Sequence, residues 1–153
     1  MTATAIMICG LPGAGKTTLA VQLAAERGAL RLCPDDWMLA LGIDLWDQPA
    51  RARVEALQWQ VAQELLVLGT SVVIESGLWS RAERDLVRDR ARQLGATVEL
   101  CVLDAPIEVL WARLAARQQD GRWPARPIRR EELESWAELI ELPDAAELAL
   151  YDL

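Results

Sequence analysis

Histidine is absent from all 153 residues. Without it there is no imidazole to bind zinc and no base for a histidine-dependent triad, so both chemistries are excluded in practice. Cysteine is scarce. Cys9, Cys33 and Cys101 lie at or near the ends of predicted strands, in no metal-type spacing, and read as reduced, buried thiols. No apolar run approaches the roughly 18 residues of a membrane-spanning helix, and no basic leader precedes the first apolar stretch. The expectation is a cytoplasmic protein with no membrane partner. Lysine is almost missing: Lys16 is the only one, and every other basic residue is arginine.

What is present describes a globular chain. Hydrophobic residues make up 52% and charged residues 25%, enough for a sizeable core in one domain spanning 1–153. The 16 basic and 23 acidic residues leave a net charge of −7, which argues against a broad nucleic-acid surface while leaving room for a local basic groove. The acidity is uneven: Glu131 to Leu153 carries eight carboxylates and no basic side chain. That end is expected to be a solvated helix face.

The single lysine falls within Gly10-Leu11-Pro12-Gly13-Ala14-Gly15-Lys16-Thr17, a phosphate-binding loop pattern. The apolar run Ala5–Cys9 precedes it as a strand. Thr18–Arg27 follows as a helix closed by Gly28. Glycines let several backbone N–H groups turn toward one anion, and the helix N-terminus adds its positive dipole end. Gly10, Pro12, Gly13, Ala14, Gly15, Lys16, Thr17 and Thr18 are therefore the candidate nucleotide-binding residues. Lys16 is placed for the outer phosphates and the Thr17 hydroxyl for Mg²⁺.

Further along, Ala29–Cys33 reads as a second strand, and Pro34-Asp35-Asp36-Trp37 opens a new helical turn. A long helix begins at Pro49, with Val54, Leu57, Val61, Leu65 and Leu68 at helical spacing. Ser71–Glu75 is an apolar run suited to a strand buried on both faces. Ser80-Arg81-Ala82-Glu83 is a capping box opening the next helix, which ends at Gly95. Thr97–Leu103 is a fourth strand. A helix from Asp104-Ala105-Pro106 reaches about Gln119, a loop covers 120–127, and a final helix covers 129–142, with Leu133, Trp136 and Ile140 on one face. Residues after Pro143 carry no clear pattern. Alternating strands and helices predict an α/β fold: a parallel sheet of four or five strands with helices on both faces.

Ligands gather at the carboxyl ends of such strands, where this chain offers the glycine-rich loop, Asp35-Asp36, Glu75 and Asp104. Phosphoryl transfer requires positioning, charge neutralisation and an acceptor for the nucleophile's proton. Asp35 or Asp36 suits the last role, orienting a hydroxyl and taking its proton late; either also suits a helix cap. Glu75 suits a Mg²⁺-bound water or the acceptor, or else a salt bridge to an arginine. Arg113 and Arg117, four apart, share a helix face and suit the transferring phosphoryl group or pairing with acids such as Glu108. Trp37, Trp46 and Trp79 fall near the same edge, as walls of an acceptor pocket or as plain core. Asp36, Trp37 and Trp79 are the candidate acceptor-binding residues.

These stretches resemble the small P-loop kinases that group with polynucleotide 5′-kinases, zeta toxins and chloramphenicol phosphotransferase. The resemblance rests on Gly10–Thr17, Pro34–Trp37, Val72–Glu75 followed by Ser80–Arg84, and Asp104–Pro106 leading to Arg113 and Arg117. It implies a three-layer, nucleotide-kinase-like P-loop fold, ATP as phosphate donor and Mg²⁺ as cofactor. It favours Asp35 as general base and makes Arg113 and Arg117 arginines of a lid spanning about 113–127. The catalytic set it implies is Asp35, Lys16, Arg113 and Arg117, with Thr17 and Glu75 for metal. Polynucleotide kinases carry an arginine soon after the acidic pair and an Asp-Thr-Asn-like segment after the third strand. This chain has Trp37-Met38-Leu39 and Glu75-Ser76-Gly77 instead. The expectation is a kinase acting on a hydroxyl of a small molecule such as a sugar, nucleoside or antibiotic. The alternatives are a 5′-hydroxyl polynucleotide kinase and a regulatory nucleotide-binding ATPase.

Overall fold

In the computed structural model, which describes residues 2–153, four strands form one parallel sheet. They are β1 (Thr4–Gly10), β2 (Leu30–Leu32), β3 (Val72–Gly77) and β4 (Thr97–Leu103), in the order β2-β3-β1-β4. Among the described residues seven helices surround them: α1 (Lys16–Arg27), α2 (Pro34–Ala40), α3 (Gln48–Val67), α4 (Arg81–Gln93), α5 (Ile107–Gln119), α6 (Arg130–Leu139) and α7 (Ala145–Leu148). The parallel sheet with helices on both faces is the predicted architecture.

The period-two alternation of a strand explains the layers. On central β1, Ala5 and Met7 point to a face where they pack with Val72, Ile74 and Val98 beneath Ala62 and Leu66 of α3 and Val87 and Ala91 of α4. Ile6 and Ile8 point the other way, joining Val73 beneath Ala20 of α1. Both faces are dry, as parallel sheets require. A third cluster of Leu11, Ala14, Leu110, Leu114, Ile128 and Leu133 seats α5 and α6 against the glycine-rich loop.

The long helix and the acidic end each differ in detail from the sequence pattern. The buried stripe of α3 is Ala50, Val54, Gln58, Ala62 and Leu66, whereas Leu57 and Leu68 are 50% and 78% exposed. Alanines at two of the five buried positions keep that face of the helix low, and Leu65 packs against the core beside it. The acidic end is also not simply a solvated face. α6 stops at Leu139, where Ile140 turns extended, and after Asp144 a short α7 buries Glu147 to 1% exposure. Glu147 accepts from Arg84 Nε and Nη2 at 2.6 and 2.8 Å, and Arg84 is itself fully buried. That charge pair is invisible to composition because its partners are 63 residues apart.

One irregularity aims at the site. Met7 lies opposite Ile74 but Cys9 lies opposite Gly77, so β3 carries one extra residue at Glu75-Ser76. Such a bulge re-directs side chains locally.

Candidate active site

β1 ends in the glycine-rich loop, and α1 starts at Lys16 after Gly15, whose left-handed backbone (φ 94°) supplies no side-chain cap. The first N–H groups of α1 thus have no internal partner, which makes them donors for an anion. Gly13 is required twice: its φ is 85°, and a Cβ there would meet the Leu110 carbonyl at 2.8 Å. Pro12, Gly13, Gly15, Lys16, Thr17 and Thr18 line a cleft of about 750 Å³. Gly10 and Ala14 lie behind it, shaping the turn.

Lys16 Nζ donates to the Leu11 carbonyl at 3.0 Å. Burial holds its pKa below the usual lysine value against the opposing pull of Glu75 and Asp35, and the nearby Arg117 lowers it further. The Thr17 hydroxyl donates to Glu75 Oε1. Its oxygen lone pairs stay free, and Glu75 Oε2 is buried with no hydrogen-bond partner among the described residues. Arg31 Nε approaches that oxygen to 3.3 Å off the hydrogen-bonding direction. Burial raises the Glu75 pKa, with Thr17, Arg31 and Lys16 opposing. A free hydroxyl oxygen beside a buried carboxylate oxygen without a hydrogen bond is a donor set that fits Mg²⁺, and Thr17 and Glu75 are the residues that would hold it.

The acidic pair divides. Asp35 lines the cleft, and Arg51 of α3 donates to its Oδ1 at 2.7 Å. Asp36 turns outward to Arg31 at 2.6 Å and does not line the cleft. Cys33, buried just ahead of them, has its thiol pushed up to about 11 by burial. Trp37 packs into the core between β2, α2 and α3, and Asp104 is exposed, so neither reaches the cleft. Trp79 does, and Trp46, Trp123 and Trp136 join it. Trp79 donates its indole N–H to the Gly10 carbonyl at 3.1 Å, clamping the loop after β3 to the glycine-rich loop. The turn needs Gly77 at φ 90° and forces Leu78 to φ 50°, which Arg84 secures by donating to the Leu78 carbonyl at 2.9 Å.

Arg113 and Arg117 make no salt bridge among the described residues; Glu108 is taken by Arg130. Arg113 reaches the Gly13 carbonyl at 3.3 Å. Arg117 lines the cleft and lies 4.6 Å from the Trp123 ring centre, and burial lowers its pKa with only Asp35 opposing. The segment between α5 and α6 is tied across the cleft mouth: the Arg126 carbonyl accepts from the indoles of Trp46 (2.8 Å) and Trp123 (3.1 Å). Arg126 also stacks on Trp46 at 3.7 Å and pairs with Glu132, whose pKa it depresses to about 2. Sequence reading missed Arg51, Trp123, Trp136, Glu55, Glu83 and Glu132. Only the tryptophans carried a signal, Trp123 as a bulky aromatic in a loop next to an arginine-bearing helix and Trp136 on the apolar face of a helix.

A glycine-rich loop running from a central parallel strand into an uncapped helix, with lysine, threonine and a strand-end carboxylate converging, defines a P-loop nucleotide-binding domain. The match to the AAA domain model AAA_33 over residues 6–143 places the chain in that family. No curated protein matches the sequence. Among solved structures it is similar to a chain of the Pnkp1/Rnl/Hen1 RNA repair complex, at 21% identity over 90% of this chain with a TM-score of 0.77. It spans only 44% of that chain. It is also similar to a gluconokinase from Sinorhizobium meliloti 1021, at 20% identity over 94% of this chain and 77% of that one, TM-score 0.61. Chaetomium thermophilum Kti12, solved with ADP-AlF3, matches at 20% identity over 93% of this chain and 82% of that one, TM-score 0.71. At these identities the likeness is one of fold. The neighbours include a kinase, the gluconokinase.

Proposed function

We propose that the protein is an ATP- and Mg²⁺-dependent kinase that transfers the γ-phosphate to a hydroxyl of a small molecule. The observation that carries this reading is that two cations, Lys16 and Arg117, line one cleft without a salt-bridge partner for Arg117 among the described residues. Burial depresses the pKa of both. Two desolvated cations in one cleft are relieved by an anion with several oxygens, such as a transferring phosphoryl group.

In this reading the uncapped N–H groups of α1 and Lys16 hold the outer phosphates. Thr17 and Glu75 would hold Mg²⁺, which when bound would supply charge neutralisation for the phosphates. Arg117 lies over the γ-phosphoryl, kept in place by the Trp123 ring, and Arg113 backs the loop at Gly13. Asp35 orients the acceptor hydroxyl and takes its proton late, and Arg51 holds the carboxylate in position. Segment 113–127 serves as the lid, with Arg126 docking it on Trp46. The acceptor end is walled by Trp46, Trp79 and Trp136 and closed by this lid, which suits a small molecule better than an extended strand.

The test is γ-labelled ATP with Mg²⁺, offered a 5′-hydroxyl oligonucleotide and a panel of hydroxyl metabolites. Label on a small alcohol is expected; label on the oligonucleotide alone would refute the small-molecule assignment. Hydrolysis with no acceptor labelled at all would favour a regulatory ATPase.

A further inference from the structure

We propose that the groove between α3 and α4, beside the main cleft, is a cation-binding subsite for an acceptor that bears an amine as well as its hydroxyl. The groove, about 220 Å³, is floored by Ile74 and walled by Trp59, and Glu55, Ser76, Leu78 and Glu83 line both it and the main cleft. These four residues form the boundary between the groove and the main cleft.

Three observations give the groove its chemistry. Glu55 and Glu83 line the groove from two helices, neither carboxylate has a hydrogen bond or ion pair among the described residues, and Glu55 feels the Arg51 charge from the main-cleft side as well as that of Glu83. Most other carboxylates around the cleft are engaged: Asp35 by Arg51, Glu132 by Arg126 and Glu75 by Thr17. The Glu83 carboxylate is free although its sequence is that of a capping box. Ser80 accepts from the Glu83 N–H at 3.1 Å, but the reciprocal bond back to Ser80 is not made. Independently, Gln58 is 4% exposed, lines the groove, and its amide Nε2 has no hydrogen-bond partner among the described residues. A buried amide donor without an acceptor is costly unless something supplies one.

An ammonium group between the two carboxylates and a ligand oxygen on Gln58 satisfy all three. The Trp59 ring beside them adds the aromatic wall that suits a cation. Burial raises the Glu55 pKa, an effect that a bound cation would reverse. The acceptor class is an amino alcohol or amino sugar. This proposal rests on the kinase reading of the main cleft, but its central test is binding, which does not depend on turnover.

Calorimetry at neutral pH on the full chain would compare matched probes: glucosamine against glucose, and phenylethanolamine against phenylethylene glycol. Each amine is expected to bind on the order of tenfold more tightly than its neutral partner, the scale of a charge-assisted hydrogen bond. Glu55→Gln with Glu83→Gln abolishes that preference. If the double variant does not fold, Glu83→Gln alone, on the exposed side, must reduce it. Gln58→Leu weakens both members of a pair together, because it removes a contact to an oxygen they share. Equal affinities within each pair, or a preference that survives the carboxylate substitutions, overturns the proposal. Following γ-labelled ATP on the same probes separates the two readings. Amine-selective binding without transfer defeats the kinase and keeps the subsite; transfer to neutral alcohols without amine preference does the opposite.

Discussion

Glu147→Ala should be among the most damaging single changes in the chain, because the Glu147 charge is buried and paired. Its side chain is 2% exposed and that of Arg84 is 1% exposed. The substitution removes both bonds of the bidentate pair, and the weaker approaches from Arg81 at 3.6 Å and Tyr151 at 3.4 Å go with them. Arg84 keeps the Leu78 carbonyl at 2.9 Å and a distant Cys9 Sγ at 3.9 Å. Stranding a buried charge in this way costs about 3–5 kcal/mol, a large share of the roughly 5–15 kcal/mol that holds a domain together. With an unfolding entropy of about 0.32 kcal/mol/K for a chain of this length, the midpoint should fall by about 9–16 °C. Replacing both partners by apolar residues, Arg84→Met with Glu147→Leu, should recover most of that loss, since no charge is left stranded. Thermal unfolding followed by circular dichroism at neutral pH measures all three proteins. A fall of less than about 3 °C for Glu147→Ala, the scale of a surface change, would refute the claim that the pair is desolvated in solution.

Three further outcomes concern the cleft. Lys16→Met should abolish transfer yet raise the unfolding midpoint of the free protein, because it removes a desolvated charge. Since the native lysine has a depressed pKa, the unfolded chain holds its proton more tightly, so this residue adds stability as pH rises toward the ordinary lysine value. The wild-type minus variant difference in midpoint should therefore climb with alkaline pH, and a flat difference would show the lysine is not desolvated. Asp35→Asn should lower kcat by about 10²–10⁴ while nucleotide KM stays put, as steady-state assays would reveal. Arg117→Ala should lower kcat by about 10²–10³. Arg117→Lys should restore only part of it, lacking the fork and the stack on Trp123; full activity in the lysine variant would mean that a point charge suffices.

Much of the donor half of the site is local. Gly10–Thr17 is one continuous stretch, and its function follows from backbone directions that adjacent residues impose, so Lys16, Thr17 and the start of α1 were legible in order. So were the parallel sheet and the four strands, because strand and helix periodicities are short-range properties. Asp35 and Asp36, by contrast, are equivalent in sequence. Only the placement of Arg31 and Arg51, from β2 and α3, sends one outward and holds the other in the cleft. Trp37 and Trp79 were equally plausible wall residues. The first packs into the core because α2 turns that way, and the second is drawn to Gly10 by the glycine turn at 77.

Sequence alone therefore determined the fold class and the phosphate-binding chemistry, since both arise from patterns within a few residues of one another. Tertiary structure decided which carboxylates are free, which arginines lack partners and which tryptophans face the cleft. Those outcomes depend on charge pairing and packing between segments distant in the chain. The free Glu55 and Glu83, the unpartnered Gln58 and the buried Arg84–Glu147 pair all belong to this second kind. The energy of a charge or an amide is set by what surrounds it in space rather than by its neighbours along the backbone.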